Sequence, residues 1–170
     1  MIDPGTQPEG EPYLDYNRRR WGGDGWTGSM KRMGRKEGAP YANWVTWPNT
    51  THCSRLLLLA EKHDLGDAVI GRLYRACYEE GQNVSLRETV ARVATEAGVP
   101  GGAEYVMSDA GVDELMSCLR SSKARNGKRV SAAPTFSLRV GSAEGPSFSG
   151  AQEAAAWLDL LEQCADHAEA

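Results

Sequence analysis

Apolar positions recur at three- and four-residue steps through most of this chain and alternate in only one region, so the pattern predicts a mostly helical protein with a late β-hairpin. Residues 1–12, with three prolines and two glycines, form an extended or turn-rich lead unable to supply a buried strand. Helices are expected over residues 13–21 and 26–36. Asp24 is placed to cap the second, Trp26, Met30 and Met33 lie on one side of it, and Gly38 and Pro40 end it. Residues 41–47 read as a short edge strand or packed loop, and residues 48–51 as a turn into a helix carrying Cys53, Leu56, Leu57 and Ala60. That helix ends near His63 and Asp64. The next presents Val69, Ile70, Leu73, Tyr74 and Cys77 and stops at Gly81, so the two should form an antiparallel hairpin. Ser85 with Glu88 reads as a capping box for a helix packing through Leu86, Val90, Val93, Ala94 and Ala97, closed by Gly98. A short helix follows over 104–107 and a longer one over 109–124. Alternation over 135–140, a turn over 141–145 and a return over 146–149 make the hairpin. A last helix over 151–165 should face the core with Ala155, Leu158, Leu161 and Cys164.

Composition narrows the function classes. With 170 residues and 41% hydrophobic content the chain can bury a globular core. A net charge of −4 disfavours a polyanion such as nucleic acid. The charge is uneven: Arg18, Arg19, Arg20, Lys31, Arg32, Arg35 and Lys36 cluster early, while residues 151–170 hold acids and no Lys or Arg. A solvated helix face accounts for the basic cluster, with an acidic partner as the sharper alternative. The longest aliphatic run, residues 56–60, is too short to span a bilayer, and residues 1–5 make no secretory signal. The expected location is soluble or peripheral, or an organelle if a targeting segment has been removed.

Most local constellations reduce to structure. Cys53, Cys77, Cys118 and Cys164 form no CxxC and read as small hydrophobes inside helices, with a structural disulfide left open. His52, His63 and His167 show no metal-ligand spacing, and no metal or other cofactor is expected. The glycines at 22, 23, 25, 101 and 102 are turns, lacking the strand-to-helix setting of a phosphate loop. Cys53 beside His52 and Ser54 lacks a base at suitable spacing, so a packed cysteine is the stronger reading than a nucleophile. Trp21, Trp26, Trp44 and Trp47 read as core anchors ahead of an aromatic binding surface. Pro134, directly before the strongest strand, can fix a turn without interrupting a ladder.

One ordered set of short motifs goes further: Asn49-Thr50, residues 53–57, residues 73–81, residues 94–98, residues 133–136 and residues 149–152. Together, over about residues 4–165, they resemble the DsbA-type thioredoxin-like oxidoreductases of the FrnE-like branch. The resemblance implies an α/β fold, here a partial thioredoxin-like fold with a large helical insertion. Residues 1–12 would be the lead, 13–127 the insertion with its returning helix, and 128–170 the C-terminal thioredoxin-like hairpin and helix. It implies a cis-proline, peptide-facing loop at Ala133, Pro134 and Thr135, and an insertion motif at Asn49, Thr50 and Arg55. The family's CxxC-bearing segment would precede Pro4, and without it no catalytic residue is assigned. Ala132 and Ala133 replace the usual glycine-valine before the proline, and Ser54 replaces a histidine common in that helix. The expectation is a non-catalytic structural or interaction subunit stabilised by a protein partner or larger assembly. The alternative is an incompletely covered thiol-disulfide oxidoreductase whose CxxC lies upstream, with the superfamily's isomerase branch a weaker third.

Overall fold

A computed structural model describes residues 5–122, 134–141 and 143–168. The described residues are mostly helical, and their strands form two small antiparallel sheets. The chain divides into a helical unit, Ile2–Ser117, and a C-terminal unit, Cys118–Ala170.

In the helical unit, β1 (Glu11–Pro12) pairs with β2 (Thr46–Trp47) and leads straight into α1 (Tyr13–Trp21). Three arginines in the last turn of α1 complement its dipole, and Gly22 ends it at φ +76°, a conformation that suits glycine. α2 (Thr27–Lys36) follows. Asp24 does not cap it with its side chain: its carbonyl accepts from the Thr27 N–H (2.9 Å) and hydroxyl (2.8 Å), while its carboxylate accepts from the Tyr13 hydroxyl (3.1 Å). The side of α2 that carries Trp26, Met30 and Met33 is not its inner face. The helix turns Thr27 and Gly34 inward, where a side chain at 34 would meet the Ala39 carbonyl, and leaves Trp26 and Met33 exposed. The four tryptophans therefore divide: Trp44 is buried, Trp47 stacks on Tyr16 at 4.0 Å, and Trp21 and Trp26 are exposed.

α3 (Thr51–Glu61) and α4 (Gly66–Tyr74) pack together across a short turn in which Asp64 takes φ +57°. Leu56, Ala60, Val69 and Leu73 are buried between them and α5 (Arg87–Glu96), whose Val90, Val93 and Ala94 are fully covered. Leu86 and Tyr74, expected to pack, are exposed. α4 widens into one π-helical turn, Arg75–Glu79, which turns Ala76 and Cys77 inward. The capping box at Ser85 does not form. The Ser85 hydroxyl accepts from the Asn49 N–H at 2.9 Å, and α5 starts two residues later, moving Glu88 out of register. α6 (Gly102–Met107) and the first part of α7 (Val112–Ser122) complete the unit's helices. α7 begins three residues later than expected because Gly111 turns the chain at φ +74° against the Tyr105 hydroxyl.

The C-terminal unit pairs β3 (Thr135–Val140) with β4 (Ala143–Ser149) and adds α8 (Ala154–Ala168). The turn is tighter than expected: Gly141 takes φ +56° and β4 already starts at Ala143, with a register irregularity between Ser137 and Arg139. Phe136, Phe148 and Trp157 form a cluster with ring centroids 4.9 to 5.4 Å apart. The indole sets the helix face. Trp157, Leu160 and Cys164 are at least half-buried, whereas Ala155, Leu158 and Leu161 are exposed, contrary to the sequence expectation. Cys118 is exposed rather than packed, and all four cysteines are free.

Candidate functional site

α3 organises the residues singled out from the sequence, and its periodicity sends them to two sides. Asn49 opens the helix: its side-chain oxygen accepts from the Thr51 N–H at 3.1 Å and the Thr51 hydroxyl at 2.6 Å, a local turn that satisfies early helix donors. The Thr50 carbonyl accepts the first α3 bond, from the Ser54 N–H at 2.9 Å. Asn49→Ala should therefore cost about 1 kcal/mol, with Asn49→Asp close to wild type, read as the shift in urea midpoint. A loss below about 0.3 kcal/mol would mean that the turn forms without the side chain.

Thr50, Cys53, Ser54 and Leu57, at helical spacing, line one side of a cavity of about 210 Å³. Leu73, Tyr74, Cys77 and Tyr78 line the other. The Cys53 thiol donates to the Val84 carbonyl at 3.2 Å. Burial, with Cys77 nearby, pushes it up to about 12, and burial pushes Cys77 up to about 12 as well. Both are thus protonated near neutrality, and a thiol is a poor nucleophile. The Tyr78 hydroxyl is raised too, first by burial and then by its neighbours.

Arg55 lies on the opposite side of α3 and is fully buried. Its guanidinium donates to the carbonyls of Ala110 (2.8 Å), Tyr105 (2.8 Å) and Ser108 (2.7 Å). It also donates to His52 Nδ1 (3.0 Å), which must accept because a guanidinium only donates. The Tyr105 and Ser108 carbonyls close the last turn of α6 and Ala110 lies in the turn beyond it, so Arg55 places a cation where that helix exposes orphan acceptors. Arg87 reinforces the same turn, donating to the Met107 and Ser108 carbonyls and to the Asp109 carboxylate at 2.5 Å. Burial, then the charges of Arg87 and Arg55, lowers the pKa of His52; the bond from Arg87 lowers that of Asp109. With its donors turned to carbonyls and a ring nitrogen, Arg55 is a positioning residue and not an anion receptor. His52 is drawn to this side, away from the cavity that Cys53 lines. Sequence reasoning missed Arg87, Tyr105 and Ser108. The available signal was an arginine set among leucines on an otherwise apolar helix.

In the C-terminal unit Pro134 is exposed, and its carbonyl accepts from the Gly150 N–H at 2.9 Å. The Thr135 and Ser149 hydroxyls bond across the strand pair at 2.9 Å. Ala133 lies outside the described residues. Among the described residues no three His, Cys, Asp or Glu side chains group as a metal site, and no helix is long and apolar enough to cross a membrane.

No curated protein matches the sequence. The structure of a probable DsbA oxidoreductase from Streptomyces coelicolor superposes with a TM-score of 0.78 at 22% identity, covering 95% of this chain and 71% of that one. At that identity the likeness is one of fold, and it agrees with a thioredoxin-like core carrying a large helical insertion. The DsbA-like thioredoxin domain family matches residues 23–161, most of the sequence, and the chain belongs to that family.

Proposed function

We propose that this chain serves as a non-catalytic, protein-binding member of the DsbA-like family, of the FrnE-like branch, working with a protein partner or within a larger assembly. The observation that carries this reading is the state of its cysteines. The sequence has no CxxC, and Cys53 and Cys77, which line one cavity, are buried and held as neutral thiols. Disulfide exchange needs an accessible thiolate and a resolving partner, and these two offer neither. In this reading residues 13–127 are the insertion with its returning helix, braced by Asn49, Thr50 and Arg55. Residues 128–170 are the thioredoxin-like part, with Ala133, Pro134 and Thr135 as the peptide-facing loop.

A second reading rests on length. The chain covers 71% of the Streptomyces coelicolor structure, and a CxxC carried in a counterpart of the remainder would make the natural protein a thiol-disulfide oxidoreductase. Two measurements separate the readings. In an insulin-reduction assay with dithiothreitol, this chain should match the uncatalysed rate, and replacing all four cysteines by serine should change nothing. Turnover that disappears in the four-serine variant would refute the non-catalytic reading. The intact mass and N-terminal sequence of the natural protein then decide the second: an additional CxxC there restores catalysis to the whole.

A further inference from the structure

The side of α2 that carries Trp26, Met30 and Met33 is largely exposed. Thr27 and Gly34 form the inner face, while Trp26 is 44% and Met33 60% exposed, with Met30 half-buried between them. Trp21, 56% exposed, continues the surface: its ring stands 6.3 Å from that of Trp26, and the Arg20 guanidinium lies 4.6 Å from its centroid. This apolar run sits in the most cationic part of the chain. Residues 13–36 carry seven cations against two carboxylates, in a protein whose net charge is −4. Asp15, Glu11 and Asp24 pair with Arg18, Arg19 and Lys31. Among the described residues Arg20, Arg32, Arg35 and Lys36 have no carboxylate at ion-pair distance and are exposed, and Lys36 lies one turn on from Met33 along the helix.

We propose that Trp21, Trp26, Met30 and Met33, with Arg20 and Lys36 beside them, form a docking surface for an acidic polypeptide segment that carries apolar side chains. Unpaired cations around an apolar stripe complement an acidic amphipathic segment and repel a basic one. Arginine outnumbers lysine five to two over residues 13–36, and its planar fork matches carboxylates. Trp, Met and Arg are also the types enriched at protein interfaces. The Asp24 carboxylate beside Lys31 works against a uniformly anionic surface such as a lipid bilayer, and the net charge of −4 works against a nucleic acid. The proposal rests on the protein-binding reading and names the chemistry of its partner.

The test titrates the full chain into a fluorescent helical peptide of about 15 residues with glutamates around a leucine stripe, and into the same peptide with lysine for glutamate. Saturable binding of the acidic peptide is expected, at least about tenfold weaker for the lysine peptide and for each of the exposed-site variants Met33→Glu and Lys36→Glu. It should also weaken as salt rises. Absence of saturable binding below about 1 mM overturns the proposal, as does a Met33→Glu affinity equal to wild type. Tighter binding to phosphatidylserine vesicles or to a single-stranded oligonucleotide than to the acidic peptide overturns it as well. If the peptide fails while the insulin assay stays at background, the surface is misassigned and the non-catalytic reading stands. Cysteine-dependent turnover sinks that reading whatever the peptide does.

Discussion

Arg55→Leu is expected to destabilise the helical unit by about 3–5 kcal/mol, the largest loss anticipated from one substitution here. Leucine restores part of the apolar volume, so the loss comes from hydrogen bonds. Three carbonyls and one imidazole nitrogen lose a charged donor inside the protein. The penalties do not simply add, because two acceptors keep another partner. The Ser108 carbonyl still receives Arg87, and the Tyr105 carbonyl still receives the Ser108 hydroxyl at 2.9 Å. The Ala110 carbonyl and His52 Nδ1 are the acceptors for which no second donor stands ready among the described contacts, and Ala110 precedes the turn that starts α7. Arg55→Lys keeps the charge but cannot span the divergent acceptors, and about 2 kcal/mol should be lost. Urea unfolding followed by tryptophan fluorescence checks both variants. A loss below about 1 kcal/mol for Arg55→Leu would mean that the α6–α7 turn is held by Arg87 alone.

This residue also shows how far the sequence could be read. Helix positions in the helical unit followed from periodicity, since Leu56, Val69, Val90 and Val93 form a core at the expected spacings. Arg55 was placed in a motif only through resemblance. Its role depends on carbonyls some fifty residues away, brought to it by α6. The failures have a common origin: long-range partners overrode local preference. Ser85, a good N-cap by type, has its hydroxyl oxygen accept from the Asn49 N–H instead. α2 turns its Gly34 side inward because Gly34 permits a close approach to the Ala39 carbonyl that a larger residue would block. α8 turned about its axis because one indole between two phenylalanine rings outweighs two leucines. Cys53 and Cys77 were correctly read as buried hydrophobes, yet nothing in their spacing showed that they would line the same cavity.

That shared cavity predicts a steep alkaline limb in stability. Both thiols are raised in the folded protein from ordinary values near 9 to about 12. Folded thiols thus keep their protons where unfolded ones lose them. The stabilisation is fully present below about pH 9 and is lost as pH rises towards the folded values. Each thiol should remove about 1.4 kcal/mol per pH unit in that window. Part of the rise at Cys53 comes from Cys77, so the two titrate as a pair in the folded protein, and the combined slope should approach twice that value as long as both folded thiols keep their protons. Tyr78 is raised for the same reason and adds to the slope only above about pH 10, which leaves the first unit of the window to the thiols. Cys53→Ala with Cys77→Ala should cost about 1–2 kcal/mol near neutrality through lost packing and should flatten the decline between about pH 9 and 10. The decisive comparison is the unfolding free energy of the wild type and the double variant at successive pH values across that unit. Parallel curves would show that the folded thiols ionise as freely as unfolded ones, and the argument that they are too protonated for disulfide exchange would fall with them.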